Sequence, residues 1–144
     1  ALDQLIAFTW RYYIEHPEFI ALLSNENLMR GLHITKSVKV KLLSRPVLDI
    51  LATILAEGER QGVFRRGLDV KKVYLTLAAL GYFYLSNRFT LSSFLGTDLM
   101  LPAEREAWLA EIRRVMTAAV RAPEGAAESN PKTKPWPPTK PKKS

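Results

Sequence analysis

Residues 69–95, DVKKVYLTLAALGYFYLSNRFTLSSFL, restrict the folds open to this chain more than any other stretch. The run reads as one long helix. Asp69 is a good N-cap, because its carboxylate can accept from the free N–H groups of the first turn. Behind it, Val73, Tyr74, Leu75, Leu77, Ala78, Ala79, Leu80, Tyr82, Phe83, Tyr84 and Leu85 put apolar atoms on nearly every face. A surface helix of a monomer carries one apolar stripe and one wet face. A helix apolar all round needs cover on two sides. Its own domain supplies one cover, and a second copy of the chain is expected to supply the other. A membrane span does not fit: the apolar run 73–85 falls well short of the roughly 20 residues required, and Lys71, Lys72, Asn87 and Arg88 flank it closely.

The rest of the chain supports a single packed domain followed by a tail. Its 144 residues, 47% of them hydrophobic, suffice for one sizeable core. There is no cysteine, which excludes disulfides and thiolate chemistry and fits a reducing, cytoplasmic setting. The chain begins inside apparent structure without Met, as a fragment would. Residues 1–121 are expected to form the domain. Residues 122–144 hold five lysines and many prolines with little to bury, and are expected to be a disordered tail with polyproline character. The tail contributes +3 of the net charge of +7, so the body is only mildly basic, which is no evidence for a nucleic-acid partner.

Helical punctuation is clear along the body. Residues 3–15 read as a helix that Asp3 can cap, closed at His16 because the residue before a proline is pushed out of the α region. Pro17 suits the first position of a helix over 17–30, and Gly31 can close it. Residues 32–45 read as a loop running into helix, since no second strand exists to pair with their β-branched residues. Pro46 reads as the start of a helix over 46–61, with Val47, Ile50, Leu51, Ile54 and Leu55 at helical spacing. Pro102 starts the last helix, 102–121, striped by Trp108, Ile112, Val115, Met116 and Ala119. The fold class is all-α.

Nothing in this pattern resembles an active site. His16 and His33 lack metal-ligand spacing, and no nucleophile elbow, P-loop or dinucleotide turn is present. We expect no enzyme, no metal and no cofactor. The informative polar group is Glu26, on the apolar stripe of its helix. A buried carboxylate needs a partner, and Arg88 or Arg30 is expected to provide it. Asn25, Asn27 and Asn87 could add hydrogen bonds, and the many aromatics could wall a cavity for a planar or apolar ligand.

The stretch Gly58-Glu59-Arg60-Gln61-Gly62-Val63-Phe64-Arg65, followed by Leu68-Asp69-Val70 and a long apolar helix, resembles the C-terminal regulatory domain of TetR-family transcriptional regulators, where G-x-x-x-G-x-F-R commonly precedes the dimerisation helices. Tyr12-Tyr13-Ile14-Glu15-His16-Pro17-Glu18-Phe19, Leu22-Leu23-Ser24-Asn25-Glu26-Asn27 and Ser86-Asn87-Arg88-Phe89-Thr90-Leu91 resemble a branch that includes pyrimidine-sensing members. The resemblance covers residues 1–121. It implies an antiparallel helical domain with a pocket between the first, second, third and long helices, dimerising through its last two helices. The family's helix-turn-helix is absent, so operator DNA would be met only through a domain outside this chain.

These readings make the chain the effector-sensing and dimerisation domain of a repressor, with a stand-alone helical scaffold lacking a pocket as the alternative. The expected ligand-lining residues are Trp10, Tyr13, Glu26, Asn27, Tyr84, Asn87 and Arg88. The expected homodimer interface is Val73, Leu77, Leu80, Trp108, Ile112, Val115 and Met116, so that Leu77→Glu or Ile112→Arg would give monomers or insoluble chain. The partners implied are a second copy and a small-molecule effector, apolar or planar, with no membrane.

Overall fold

The computed structural model describes residues 1–36 and 38–123, leaving aside the side chains of 38–44. The tail beyond 123, with Trp136, lies outside the described residues. Helix α1 (Leu2–Glu15) buries Leu2, Ile6, Trp10 and Tyr13, spaced to share one face. Asp3 does not cap it: the cap position is Ala1, and Asp3 instead meets Arg113 Nε at 2.6 Å across the domain. The chain leaves the helix at His16, and Pro17 opens α2 (Pro17–Leu28), as its fixed φ favours. Arg30 (φ 56°) and Gly31 (φ 72°) then take successive left-handed conformations that reverse the chain.

Two expected boundaries are corrected. Helix α3 spans Val38–Arg60 and contains Pro46 in its interior. The segment read as a loop is therefore helix from residue 38. Proline there removes one backbone hydrogen bond, and the amphipathic stretch that buries Leu51 and Leu55 outweighs that loss. The long helix is two helices, α4 (Val70–Ser86) and α5 (Arg88–Leu95), parted at Asn87. Local polar bonds explain the break. Asn87 Nδ2 donates to the Phe83 carbonyl, Arg88 Nη1 to that of Leu85 and Thr90 Oγ1 to that of Asn87. Such bonds compete with the helical ladder. The start of α4 is as expected: Asp69 Oδ1 accepts from the N–H groups of Lys71 (2.9 Å) and Lys72 (3.2 Å).

Helix α4 is the hub, packing against α1, α2, α3, α5 and the final helix α6 (Pro102–Val120). The G-x-x-x-G-x-F-R stretch ties the two ends of the domain. Phe64 packs against the backbone of Gly58, and Arg65 donates its N–H to the Val120 carbonyl (2.8 Å) and its Nε to that of Ala119 (2.9 Å). No strand occurs among the described residues beyond the single bridge between Phe64 and Arg121. No described helix is long and apolar enough to cross a membrane.

The inner and outer faces of α4 and α6 can now be told apart. Val73, Leu77, Ile112 and Met116 lie inside the core of one chain, and Leu80 and Trp108 pack half-buried against it. Val115 is half-buried. Most of the residues expected at a subunit interface therefore hold the protomer itself together. The outer face of α4 carries Leu75, Ala79 and Phe83, and that of α6 carries Ala103, Ala107 and Ala110.

Candidate functional site

Tyr84 sits at the crossing of three helices. Its ring meets Trp10 of α1 edge-on, with centroids 5.4 Å apart, and stacks on Trp108 of α6 at 5.3 Å and 20°. Its hydroxyl donates to the Leu99 carbonyl at 2.7 Å, and the Trp108 indole N–H donates to the Leu80 carbonyl at 3.1 Å. The polar tips of both rings are thus satisfied, as buried Tyr and Trp require. Tyr13 completes the cluster one turn along α1. It covers Gly81, where even a methyl carbon would lie 3.0 Å from the Tyr13 ring. A glycine in mid-helix costs stability, and here it lets α1 close on α4. Burial, with Tyr74 and Tyr12 nearby, pushes the Tyr13 phenol up to about 12.

Glu26 is buried, 6% exposed, as its place on the stripe suggested. Its partner is neither Arg88 nor Arg30. Oε2 accepts from the backbone N–H groups of His33 and Ile34, both at 3.1 Å, and Oε1 lies 2.8 Å from His33 Nδ1. The chain reversal at Arg30 and Gly31 brings His33 back over the helix end. The Ile34 N–H foremost, opposed by burial and aided by the His33 ring and N–H, holds the carboxyl below the usual range. A depressed carboxyl stabilises the fold above its unfolded-state pKa, and that contribution is lost as pH falls through the folded value. Thermal melts of wild type and Glu26→Gln should therefore differ most at neutral pH and converge below about pH 4, near and under the ordinary carboxylate range. Parallel curves would refute the assignment.

The seven expected site residues divide. Trp10, Tyr13 and Tyr84 come together. Glu26 stands at the end of α2 with its own partner, and Asn27 is exposed. Asn87 and Arg88 bond to helix carbonyls, and the Arg88 guanidinium lies over the Phe89 ring at 4.5 Å. Sequence reasoning did not pair His33 with Glu26 and did not single out Gly81; Trp108, expected at the subunit interface, stacks on Tyr84 within one chain. The Gly31 break was the available signal for His33, since a reversal there returns the chain toward Glu26.

A cleft of about 380 Å³ opens between α4, α5 and α6. Its lining includes Phe83, Tyr84, Leu91, Leu95, Ala107 and Trp108, with Glu104 its one charged group. Tyr84 alone of the seven expected residues touches it. It is therefore not the pocket between the first three helices and α4 that the resemblance implies.

An all-helical arrangement of the described residues around an apolar α4, with the G-x-x-x-G-x-F-R clasp joining α3 to α6, is the architecture expected of the C-terminal domain of TetR-type proteins. The family model described as "Tetracyclin repressor-like, C-terminal domain" matches residues 1–116, and the chain belongs to that family. It is a family of transcriptional regulators, not of enzymes. The chain is also 42% identical over 121 residues to the HTH-type transcriptional repressor NicS of Pseudomonas putida. That match covers 84% of this chain and 57% of the relative, so the chain spans little more than half the length of the curated protein it resembles.

Proposed function

We propose that this domain senses a small planar or apolar effector and dimerises, and that effector binding shifts the geometry of a DNA-reading domain outside these 144 residues. The observation that carries the proposal is the wedge of Tyr84 between Trp10 and Trp108. An effector lodged beside Trp10 and Tyr13, among α1 to α4, would press on a ring that also bears on α6. Movement on the α1 side would then reach the helix that flanks the second copy. Glu26 acts in this scheme by holding the reversal after α2 through His33 and Ile34. Asn27, Asn87 and Arg88 serve as exposed or capping groups in this scheme. The shift can be no larger than the effector's difference in affinity for the two arrangements.

The alternative, a helical dimer with a filled core, draws on one observation. The polar groups of Glu26, Tyr84, Asn87 and Arg88 all find partners within the chain. Tryptophan emission separates the two readings, because Trp10 and Trp108 flank the wedge. Titration with uracil, thymine and other planar heterocycles should give a saturable change that Tyr84→Leu abolishes. A dimer whose emission none of them moves would favour the scaffold.

A further inference from the structure

Helix α5 is attached to its own protomer by one side only. Leu91 and Leu95 line the cleft, and Ser92 Oγ accepts from the Leu99 N–H at 3.1 Å. Among the described residues nothing covers the other side. Phe94 is 85% exposed and Phe89 76%. Phe89 has the Arg88 guanidinium over its ring, whereas no ring or cation lies against Phe94 among the described residues. Beside this projecting phenyl group is an apolar cleft. A cavity of roughly 150 Å³ lined by aliphatic and aromatic groups suffices to hold benzene, so about 380 Å³ has room for a phenyl ring and a neighbouring side chain.

The position of the cleft indicates what fills it. Phe83 belongs to the outer stripe of α4 and Ala107 to that of α6, and both line it. The cleft thus lies where the two outward faces meet, on the surface a second copy would cover. In an interface with two-fold symmetry every contact is made twice, so an arm of one protomer that reaches the cleft of the other is matched by the reverse contact. We infer that α5 is an exchange arm: the Phe94 ring of each chain enters the α4–α5–α6 cleft of a second copy, against Tyr84 and Trp108. The inference rests on the dimeric part of the reading above and adds a reciprocal contact beyond the packing of α4 and α6. It also places the partner's arm against the ring pair that the effector would move.

The chain has no cysteine, so engineered pairs report cleanly. Phe94→Cys and Ala107→Cys, both at exposed sites, are introduced into separate copies of the 144-residue chain carrying tags of different size, co-expressed and mildly oxidised. A covalent dimer of mixed size is expected, and it can arise only between chains. Phe94→Asp should weaken self-association at least tenfold by sedimentation while leaving helix content unchanged, and Phe94→Leu should retain most of it. A wild-type dimer that gives no mixed cross-link, or that Phe94→Asp leaves intact, overturns the arm and spares the dimer. Wild-type chain that sediments as a monomer at high concentration overturns both.

Discussion

Gly58→Ala should lower the stability of the domain by about 2 kcal/mol, although alanine is the better helix former. In a helix interior the exchange is worth about 1 kcal/mol in favour of alanine. Against this, the new methyl carbon would stand 2.0 Å from Cδ2 of Phe64 and 2.4 Å from its Cε2. Such overlap is not tolerable, and the ring must leave. Overpacking of this kind typically costs 1–3 kcal/mol, and more is lost here because Phe64 stands in the segment that grips α6. The N–H groups of Val63 and Phe64 both donate to the Gly58 carbonyl, Arg65 holds the Val120 carbonyl, and the Ala122 N–H donates back to Val63. Shifting the ring therefore loosens the seam between the end of α3 and the end of α6. For a domain of this size the melting temperature should drop by about 8 °C. Phe64→Leu leaves more room beside residue 58, so in that background Gly58→Ala should cost much less. A double-mutant cycle measures this coupling, and additive effects would contradict the contact.

The same seam shows what a sequence can and cannot convey. The helix starts at Pro17, Asp69 and Pro102 were legible, because capping and fixed φ act within a few residues. The break at Asn87 was not. It depends on three polar side chains choosing carbonyls over solvent, and spacing alone does not register that choice. Helix α3 runs through Pro46 because burial of Leu51 and Leu55 outweighs one lost hydrogen bond. The burial of Glu26 could be read from its position on the stripe. Its partner was only half legible: Gly31 marked a break, but the reversal that returns His33 also needs Arg30, a non-glycine residue, in the left-handed conformation. Of the candidate site, the aromatic members Trp10, Tyr13 and Tyr84 were found because large rings at helical spacing tend to converge in a core. Of the polar members, Glu26, Asn87 and Arg88 each met a nearer backbone group, and Asn27 faces solvent.

Ile112→Arg should abolish folding rather than produce monomers. Periodicity marks α4 as apolar on nearly every face and α6 by one stripe, yet it does not say which molecule covers them. Ile112 is 1% exposed within a single chain, beside Met116 at 0%. Removing its aliphatic bulk alone would cost about 2–5 kcal/mol. The guanidinium adds the penalty of a buried, unpaired charge, several kcal/mol more. Together these rival the entire stability of a typical domain, about 5–15 kcal/mol. The variant should therefore lose its cooperative thermal transition and collect in the insoluble fraction, and Leu77→Glu should behave likewise. Phe83→Asp is the opposite case. Its ring is 58% exposed and lies on the outer stripe of α4, so one chain gives up little by losing it. That variant should keep its helix content and a cooperative thermal transition yet sediment as a monomer. Circular dichroism melts run beside sedimentation velocity distinguish the two outcomes. A folded, monomeric Ile112→Arg protein would return the interface to the inner face, and a dimeric Phe83→Asp protein would remove it from the outer one.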